Sequence, residues 1–455
     1  MKSDNKARYS LCLIVLVGLF IRANFIGEES LWPDEALYMY ISQNLLSNPL
    51  GIQHHSGEPF FQNPPLFMYM LFLIFKMLGV VSTQVARSFN TILGSSTIVL
   101  AYFIGKHLYG KPVGIISAAL LSLNPLHWWI STRILPDVPL TFFIYLSLFM
   151  MIRNRKGTSF IFSFAGLATK YPAAPLLLVP FLNNARLRKT TWVWTALYLL
   201  GLGFTIFFIA LTVRTGIPWL DFFLTPFRFP DLTEIYRETF YFLTIVVCVF
   251  FVIGLASALR KKEFSPLIIW VILFGTARLF LPWQAFRMSR YTLPLYPGIM
   301  ILASYGGIMI FSFLKTRLSG RTFPIAMILG SILLYVLVIF AFRGYTVTDI
   351  NSRTFVGFEQ IKHFFENKPS NIAILTSSPR QVKYMAPHLY VHDLPSRFTP
   401  EQAHVLIKEK EIGYILLDRW SPHQPKWAPE YFLSDPGYHP VFQTKNFCIF
   451  DVVNR

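Results

Sequence analysis

The chain has 455 residues, of which 54% are hydrophobic and only 14% are charged. A soluble protein contains about 45–50% apolar and about 25% charged residues, so this composition excludes an ordinary soluble enzyme and a disordered or fibrous chain. The net charge of +18 would indicate nucleic-acid binding in a soluble chain, but here the basic residues lie in short clusters between apolar runs. We therefore predict a polytopic α-helical membrane protein that binds no nucleic acid.

The predicted membrane spans follow one another along the first three quarters of the chain. The clear apolar runs cover residues 9–26, 86–105, 112–130, 138–152, 192–213, 239–259, 264–281, 291–313 and 323–342. The first run is not followed by the small-residue cleavage site of a signal peptide, so we interpret it as an uncleaved span.

Two further apolar runs are ambiguous. Residues 66–79 include Lys76 and are too few, because a helix needs roughly 20 residues to cross about 30 Å of hydrocarbon. We predict an interfacial or re-entrant helix there. Residues 158–182 have the length of one span but carry Lys170-Tyr171-Pro172 at their middle, so we predict a hairpin of two short helices with Lys170 at its tip.

These two assignments gather the basic clusters on one side of the membrane. The clusters are Lys2/Lys6/Arg8, Lys106/Lys111, Arg153/Arg155/Lys156, Arg186/Arg188/Lys189, Arg260/Lys261/Lys262 and Lys315/Arg317/Arg321. Because positive residues collect in cytoplasmic loops, we predict about eleven crossings of the plasma membrane, with the N-terminus inside and the C-terminus outside.

From residue 343 the sequence changes character. Short β-like runs alternate there with helical stretches, of which 401–410 is the clearest. The runs are 372–376, 389–394, 414–418, 440–444 and 447–453. We therefore predict a transmembrane domain over 1–342 and an extracytoplasmic α/β domain over 343–455.

Two acidic residues follow the first predicted span. Trp32-Pro33-Asp34-Glu35 begins a predicted amphipathic helix. Acidic residues in the first turn of a helix are favoured by its dipole, so Glu35 is as consistent with a structural role as with a role in a functional site. For Asp34 we favour a functional role, because no basic residue of the same loop lies near enough to neutralise it.

The other candidate residues also lie on the predicted outer side. Asp137 could cap the helix that follows it, or bring a second carboxylate close to Asp34. Lys170 could extend to the interface, but at the tip of a deep hairpin it would line an outer cavity, where a cation needs an anionic partner. Arg287 and Arg290 oppose the positive-inside bias, which an anionic ligand or lipid headgroups would explain.

The sequence gives no metal or disulfide signature. The adjacent His54-His55 pair lacks the spacing of a ligand face, so we predict no metal site. Cys12, Cys248 and Cys448 contain no CxxC motif, and we predict neither a disulfide framework nor a thiolate zinc site.

Several short motifs occur in a fixed order relative to the spans. They are Asp34-Glu35, Asn63-Pro64-Pro65-Leu66, Gly105 to Gly110, Ser122-Leu123-Asn124-Pro125, Asp137 with Pro139 to Phe143, Gly166-Leu167-Ala168-Thr169-Lys170, and Arg290 to Pro294 with Pro297. Over about residues 20–300, this order resembles that of the GT-C membrane glycosyltransferases of the protein-O-mannosyltransferase and aminoarabinose-transferase group (glycosyltransferase family 39-like). One departure is Asn63, which stands where the family often has histidine.

The resemblance implies a polyprenyl-phosphate-linked sugar as donor and transfer on the outer face of the membrane. It implies that Asp34 is the catalytic base. No certain cofactor is predicted, and the lipid-linked sugar phosphate is expected as donor substrate. The acceptor would be a hydroxyl of a protein, lipid or glycan. Substrate contacts are then expected from Glu35, Asp137, Lys170, Arg287, Arg290 and Tyr291.

The chemistry of such a transfer suits these residue types. A carboxylate must accept the proton of the acceptor hydroxyl, and cations must stabilise the departing phosphate. A single displacement would invert the anomeric carbon. The alternative function is a membrane transporter or lipid flippase, which would carry repeated halves and ionisable residues near mid-membrane. A non-catalytic membrane scaffold is a third alternative.

Overall fold

The computed structural model describes residues 2–27, 31–54, 56–60, 62–180, 232–261, 263–280, 289–317, 322–353, 356–419, 421 and 424–453. The chain divides into two compact units. The first, here called the helical unit, comprises Met1–Ile26, Phe61–Phe67 and Arg87–Thr348. The second, the sheet unit, comprises Gly27–Phe60, Met68–Ala86 and Asp349–Arg455.

Helices make up most of the described chain. In chain order they are α1 Lys2–Ala23, α2 Pro33–Asn44, α3 Leu66–Leu78, α4 Thr83–Tyr109, α5 Lys111–Leu123, α6 Pro125–Ser131, α7 Asp137–Ile152, α8 Lys156–Thr169, α9 Leu232–Arg260, α10 Pro266–Phe280, α11 Tyr296–Arg317, α12 Thr322–Arg353, α13 Phe358–Glu366, α14 Pro379–Met385, α15 Pro400–Glu409 and α16 Ala428–Ser434. Two 3₁₀ helices, Tyr171–Leu178 and Ser289–Leu295, precede and follow the undescribed stretches of the helical unit.

Within the described residues, 4 helical stretches are long and apolar enough to cross a membrane. They are Thr83–Tyr109, Tyr241–Arg260, Ser289–Arg317 and Pro324–Glu366, and the pair α5–α6, bent by 60°, would be a fifth. The predicted span 192–213 lies outside the described residues. Helix α12 continues past the expected end of the last span at residue 342, as far as Arg353. The number of crossings and their direction stay predictions.

The predicted hairpin breaks where the sequence indicates. Helix α8 ends at Thr169, and Lys170 has an extended backbone, with φ −162° and ψ 137°, before the 3₁₀ helix Tyr171–Leu178 begins. Pro172 is consistent with the break, because a proline lacks the N–H that a continuing α-helix needs and its ring clashes with the carbonyl four residues earlier. The break leaves Lys170 between two helices instead of on a helix surface.

Close packing of α9 on α11 depends on two glycines. A Cβ added to Gly254 would meet the carbonyl oxygen of Leu302, and one added to Gly306 would meet that of Phe250. Small residues let membrane helices approach at backbone distance, where van der Waals contact stabilises the pair. This contact lies in the core of the helical unit.

The sheet unit contains a five-stranded mixed sheet. Its strands are β1 Ala373–Thr376, β2 Tyr390–Asp393, β3 Ile412–Asp418, β4 Tyr438–Gln443 and β5 Phe447–Val452, in the spatial order β2-β1-β3-β5-β4. Strands β2, β1 and β3 are parallel, and β5 is antiparallel to both β3 and β4. Each of the β-like runs in the sequence forms one of these strands, which confirms the predicted α/β fold of this region.

Both faces of the sheet are covered, because side chains alternate between them along each strand. Ile415 and Leu417 of β3 belong to a core shared with α15 and α16. Leu416, between them in sequence, belongs to the opposite core, which includes residues of α13 and α14. Trp32, the residue before α2, packs on this second core. The start of α2 is thereby fixed to the C-terminal region of the chain.

Candidate functional site

The helical unit brings Lys170 and Asp137 together. Lys170 Nζ donates a hydrogen bond of 2.7 Å to Asp137 Oδ1, and the two side chains are only 10% and 2% exposed. A buried cation is costly without a counter-charge. The anionic partner that we expected for Lys170 is therefore a residue of the protein itself, Asp137. The burial of Lys170 alone thus does not require a ligand anion.

Arg290 and Tyr291 lie beside this ion pair. Lys170 Nζ is 4.2 Å from the centroid of the Tyr291 ring, and Arg290 Cζ is 5.0 Å from the same centroid. Arg290 Nη2 also donates to the Tyr291 hydroxyl at 3.2 Å. A cation over an aromatic face is attracted by the electrons of the ring. Of the residues expected to contact substrate, the structure thus groups four, whereas Arg287 lies outside the described residues.

The described part of the helical unit buries more cations than anions. Its buried charged residues are Arg22, Arg87, Arg133, Asp137, Lys170 and Arg290. Asp137 is the one acidic member of this set among the described residues. Each of these residues lies at or near a helix end that was predicted to face outside. Arg87 was not identified as a candidate from the sequence. Its position near the start of an apolar helix was the signal that could have indicated it.

Backbone carbonyls hold some of these buried residues in place. The Arg22 guanidinium donates to the carbonyl oxygens of Gly18 at 2.8 Å and Ser122 at 2.9 Å, and lies 2.9 Å from His127 Nδ1. The Asn90 side chain donates to the carbonyl of Arg133 at 2.6 Å, which ties α4 to the loop before Asp137. These contacts fix the helix ends that carry the buried cations.

In the sheet unit, Asp34 is paired with a residue far away in sequence. Arg380 Nη1 donates to Asp34 Oδ1 at 2.6 Å, and the side chains are 28% and 29% exposed. The expectation for Asp34 concerned only the basic residues of its own loop. In the folded chain Arg380, which lies 346 residues later, reaches Asp34 through tertiary packing.

Glu35 serves the start of its helix. Its fully buried carboxylate accepts a hydrogen bond of 3.0 Å, through Oε2, from the backbone N–H of Trp32. The first N–H groups of a helix lack partners within it, so such a bond stabilises the helix start. The neighbouring residues Asp34 and Glu35 therefore have different surroundings: one is partly exposed and the other is enclosed.

His54 of the same unit is neutral at physiological pH. Its Nδ1 lies 3.1 Å from Ser56 Oγ, and its ring is stacked on that of Phe60. Partial burial, and then the positive charge of Arg380, lower the pKa of His54 to about 4. Among the described residues no group of three or more His, Cys, Asp or Glu side chains could hold a metal ion.

A family model matches part of the chain. The model of dolichyl-phosphate-mannose-protein mannosyltransferases matches residues 62–213. This range includes Asp137 and Lys170 but neither Asp34 nor Arg380. A protein of Aquifex aeolicus (strain VF5), described as uncharacterized, is 26% identical over an alignment of 323 residues, and the match covers 64% of this chain and 63% of that relative. The match thus spans less than two thirds of the relative's length.

Two solved structures match nearly the whole chain. ArnT from Cupriavidus metallidurans bound to undecaprenyl phosphate superposes with a TM-score of 0.66 at 14% identity, covering 97% of this chain and 98% of that one. The archaeal oligosaccharyltransferase AglB from Archaeoglobus fulgidus, in complex with an inhibitory peptide and a dolichol-phosphate, gives 0.62 at 12% identity, covering 98% and 74%. These matches confirm the GT-C membrane fold and the resemblance indicated by the motifs.

Proposed function

We propose that this protein is a glycosyltransferase that moves a sugar from a polyprenyl-phosphate donor to an acceptor hydroxyl. The observation that carries the proposal is the grouping of the buried cations Lys170 and Arg290 at the Tyr291 ring, in a chain with the GT-C fold. A phosphate is the group that such a cluster would stabilise. The undecaprenyl phosphate bound to ArnT and the dolichol-phosphate bound to AglB support this choice of donor class.

In this proposal the cations act on the leaving group. The charge on the phosphate grows as the sugar departs, so a nearby cation stabilises the transition state more than the ground state. Lys170 is paired with Asp137 and would contribute N–H donors to the phosphate, and the Arg290 guanidinium would contribute further N–H donors. Arg287 and Tyr291 are retained as candidate substrate contacts, whereas the enclosed Glu35 is assigned to the start of α2.

We assign the role of general base to Asp34. Its carboxylate is partly exposed, so an acceptor hydroxyl could reach it. The proton of the hydroxyl passes to Asp34 as the oxygen bonds to the anomeric carbon and the carbon–phosphate-oxygen bond breaks. The phosphate leaves as an anion and needs no proton, so one base suffices. The single displacement inverts the configuration at the anomeric carbon.

The decisive test is a transfer assay with purified protein in vesicles. A panel of polyprenyl-phosphate sugars is supplied with candidate acceptors, and release of polyprenyl phosphate and formation of glycosylated product are measured together. A transferase gives both products in equal amounts. A flippase would move the donor between leaflets without releasing its phosphate, and that result would reject the proposal.

The proposed topology puts transfer on the outer face of the plasma membrane, with the N-terminus in the cytoplasm and residues 343–455 outside. Single cysteines at exposed positions can test this in a background lacking Cys12, Cys248 and Cys448. Ser370→Cys should react with a membrane-impermeant maleimide in intact cells, and Thr316→Cys should react only after permeabilisation. The reverse pattern would contradict the proposed orientation.

A further inference from the structure

Arg380 lies in the first turn of α14, and the segment that leads into this helix is anchored at the carboxyl ends of two parallel strands. Ser378, after β1, donates through its hydroxyl to Asp418 Oδ2 at 2.7 Å, and Asp418 ends β3. The Ser421 hydroxyl donates to the carbonyl of Ser377 at 3.0 Å, and the Ser378 N–H donates to Thr376 Oγ1 at 3.1 Å. The start of α14 is therefore fixed to the sheet by three hydrogen bonds.

Helix α14 is also the support on which the start of α2 rests. The two helices pack against each other, and Trp32 lies on the core that contains Val382 of α14. The Trp32 indole N–H donates to the carbonyl of Asn351 at 3.5 Å, which adds a second link to the C-terminal region. Asp34 and Arg380 are thus held by elements that are themselves fixed to one another.

The ion pair between them contributes little to stability. Pairs that are partly exposed contribute roughly 0–1 kcal/mol, because solvent screens the attraction and ordering two side chains costs entropy. A guanidinium nevertheless restricts the orientation of the carboxylate it binds. The Arg380–Asp34 contact of 2.6 Å is therefore better suited to orient Asp34 than to stabilise the fold.

We propose that Arg380 is a positioning residue for Asp34, so that the C-terminal α/β domain sets the orientation of the base. This inference rests on the proposed function. Arg380 Nη1 holds Asp34 Oδ1, which fixes the rotation of the carboxylate that accepts the acceptor's proton. The C-terminal domain then takes part in the chemical step, whatever acceptor it binds.

The test compares Arg380→Gln with Arg380→Lys in the transfer assay. A misplacement of about 1 Å at a reacting group can cost about 100-fold, so Arg380→Gln should lower kcat by about 10- to 100-fold while the KM for the donor changes little. Arg380→Lys should restore part of the loss, because it keeps the charge but lacks the planar fork. Arg353→Gln is the matched control, since it breaks the 2.9 Å pair with Asp349 in the same unit.

A second comparison asks whether Arg380 acts through Asp34. In the Asp34→Asn background, Arg380→Gln should cause no further loss of residual turnover, because the group it orients is no longer a base. Equal losses in both backgrounds, or normal kcat for Arg380→Gln at an unchanged unfolding midpoint, would overturn the positioning role alone. A wild-type protein without transfer activity would reject the proposed function, and the positioning role with it.

Discussion

Two aspartate ion pairs of nearly equal length lie in very different surroundings. Lys170–Asp137, in the helical unit, spans 2.7 Å with side chains 10% and 2% exposed, whereas Arg380–Asp34, in the sheet unit, spans 2.6 Å with side chains 28% and 29% exposed. Removing one partner of a buried pair leaves an unpaired charge in the protein interior. Removing one partner of a partly exposed pair leaves a charge that water can solvate.

Because of this difference, only the partly exposed pair can be tested for a chemical role without a change in stability. A change in the exposed pair should alter turnover without altering the fold. A change in the buried pair should alter both, so its effect on activity cannot be interpreted until the effect on stability is removed.

Replacing Asp34 by Asn should remove most of the transfer activity and little of the stability. A general base contributes about 10²–10⁴-fold to the rate, and the amide is nearly isosteric with the carboxylate but cannot take the proton. Donor binding, measured by equilibrium binding of a polyprenyl-phosphate sugar, should remain close to normal.

Asp349→Asn is the matched control for this prediction. Asp349 belongs to the same unit, its side chain is 26% exposed, and it is paired with Arg353 at 2.9 Å. Its replacement should leave transfer unchanged. Near-normal turnover in Asp34→Asn would contradict the assignment of the base to Asp34, and a loss in both variants would indicate a general effect of removing an acidic charge.

Replacing Lys170 by Met should destabilise the protein by about 3–5 kcal/mol, because the buried carboxylate of Asp137 loses its partner. The double variant Lys170→Met with Asp137→Leu should recover most of that loss, since neither charge then remains in the interior. Thermal unfolding in detergent measures both. A single variant as stable as the double one would contradict the contrast between the two pairs.

The double variant also isolates the proposed catalytic role of Lys170. If Lys170 donates to the departing phosphate, turnover should stay low in Lys170→Met with Asp137→Leu even though stability has returned. Full recovery of turnover would instead indicate that the pair serves only the structure, and that Arg290 acts on the phosphate without it.

Local sequence patterns predicted the strands of the sheet unit and the break after α8. The short, largely apolar run 414–418 predicted β3, whose two sides face two cores. Pro172 predicted the break after α8 because a proline lacks the N–H that a continuing helix needs. These signals depend on neighbours in sequence, so one sequence is enough to interpret them.

The pairing of the charged residues could not be predicted in the same way. Asp137, Lys170, Arg290 and Tyr291 were each identified, but the Lys170–Asp137 bond joins residues 33 positions apart across a helix packing that the sequence does not specify. Arg380 was not identified, because nothing in the local sequence of the α/β region indicates that it pairs with a residue 346 positions earlier.

Replacing Glu35 by Ala should cost about 1–3 kcal/mol of stability and little turnover per folded molecule. The buried N–H of Trp32 would lose the carboxylate that accepts its hydrogen bond. Glu35→Gln, which keeps an acceptor oxygen, should lose less. The comparison with Asp34→Asn separates adjacent acids by role; a large loss of kcat in Glu35→Gln at normal stability would contradict the structural role of Glu35.

The smallest effect concerns pH and His54, on which Arg380 also acts. Because the pKa of His54 is lowered to about 4 in the folded protein, the unfolded chain takes up this proton first as the pH falls through its ordinary value near 6.5. Stability should therefore decrease from about pH 6.5 to about pH 4 and stop depending on this group below that range.

The pH effect is measured as the change in unfolding midpoint between pH 7.5 and pH 5. Wild-type protein should lose more than His54→Gln, while His388→Gln, which changes an exposed histidine of the same unit, should behave as wild type. The size of the effect is limited because His54 is only half-buried and solvent screens its charge. Arg380→Gln removes one of the two causes of the lowered pKa, so it should reduce the wild-type loss without abolishing it. An unchanged loss in Arg380→Gln would mean that burial alone sets this pKa, and that the guanidinium acts only on Asp34.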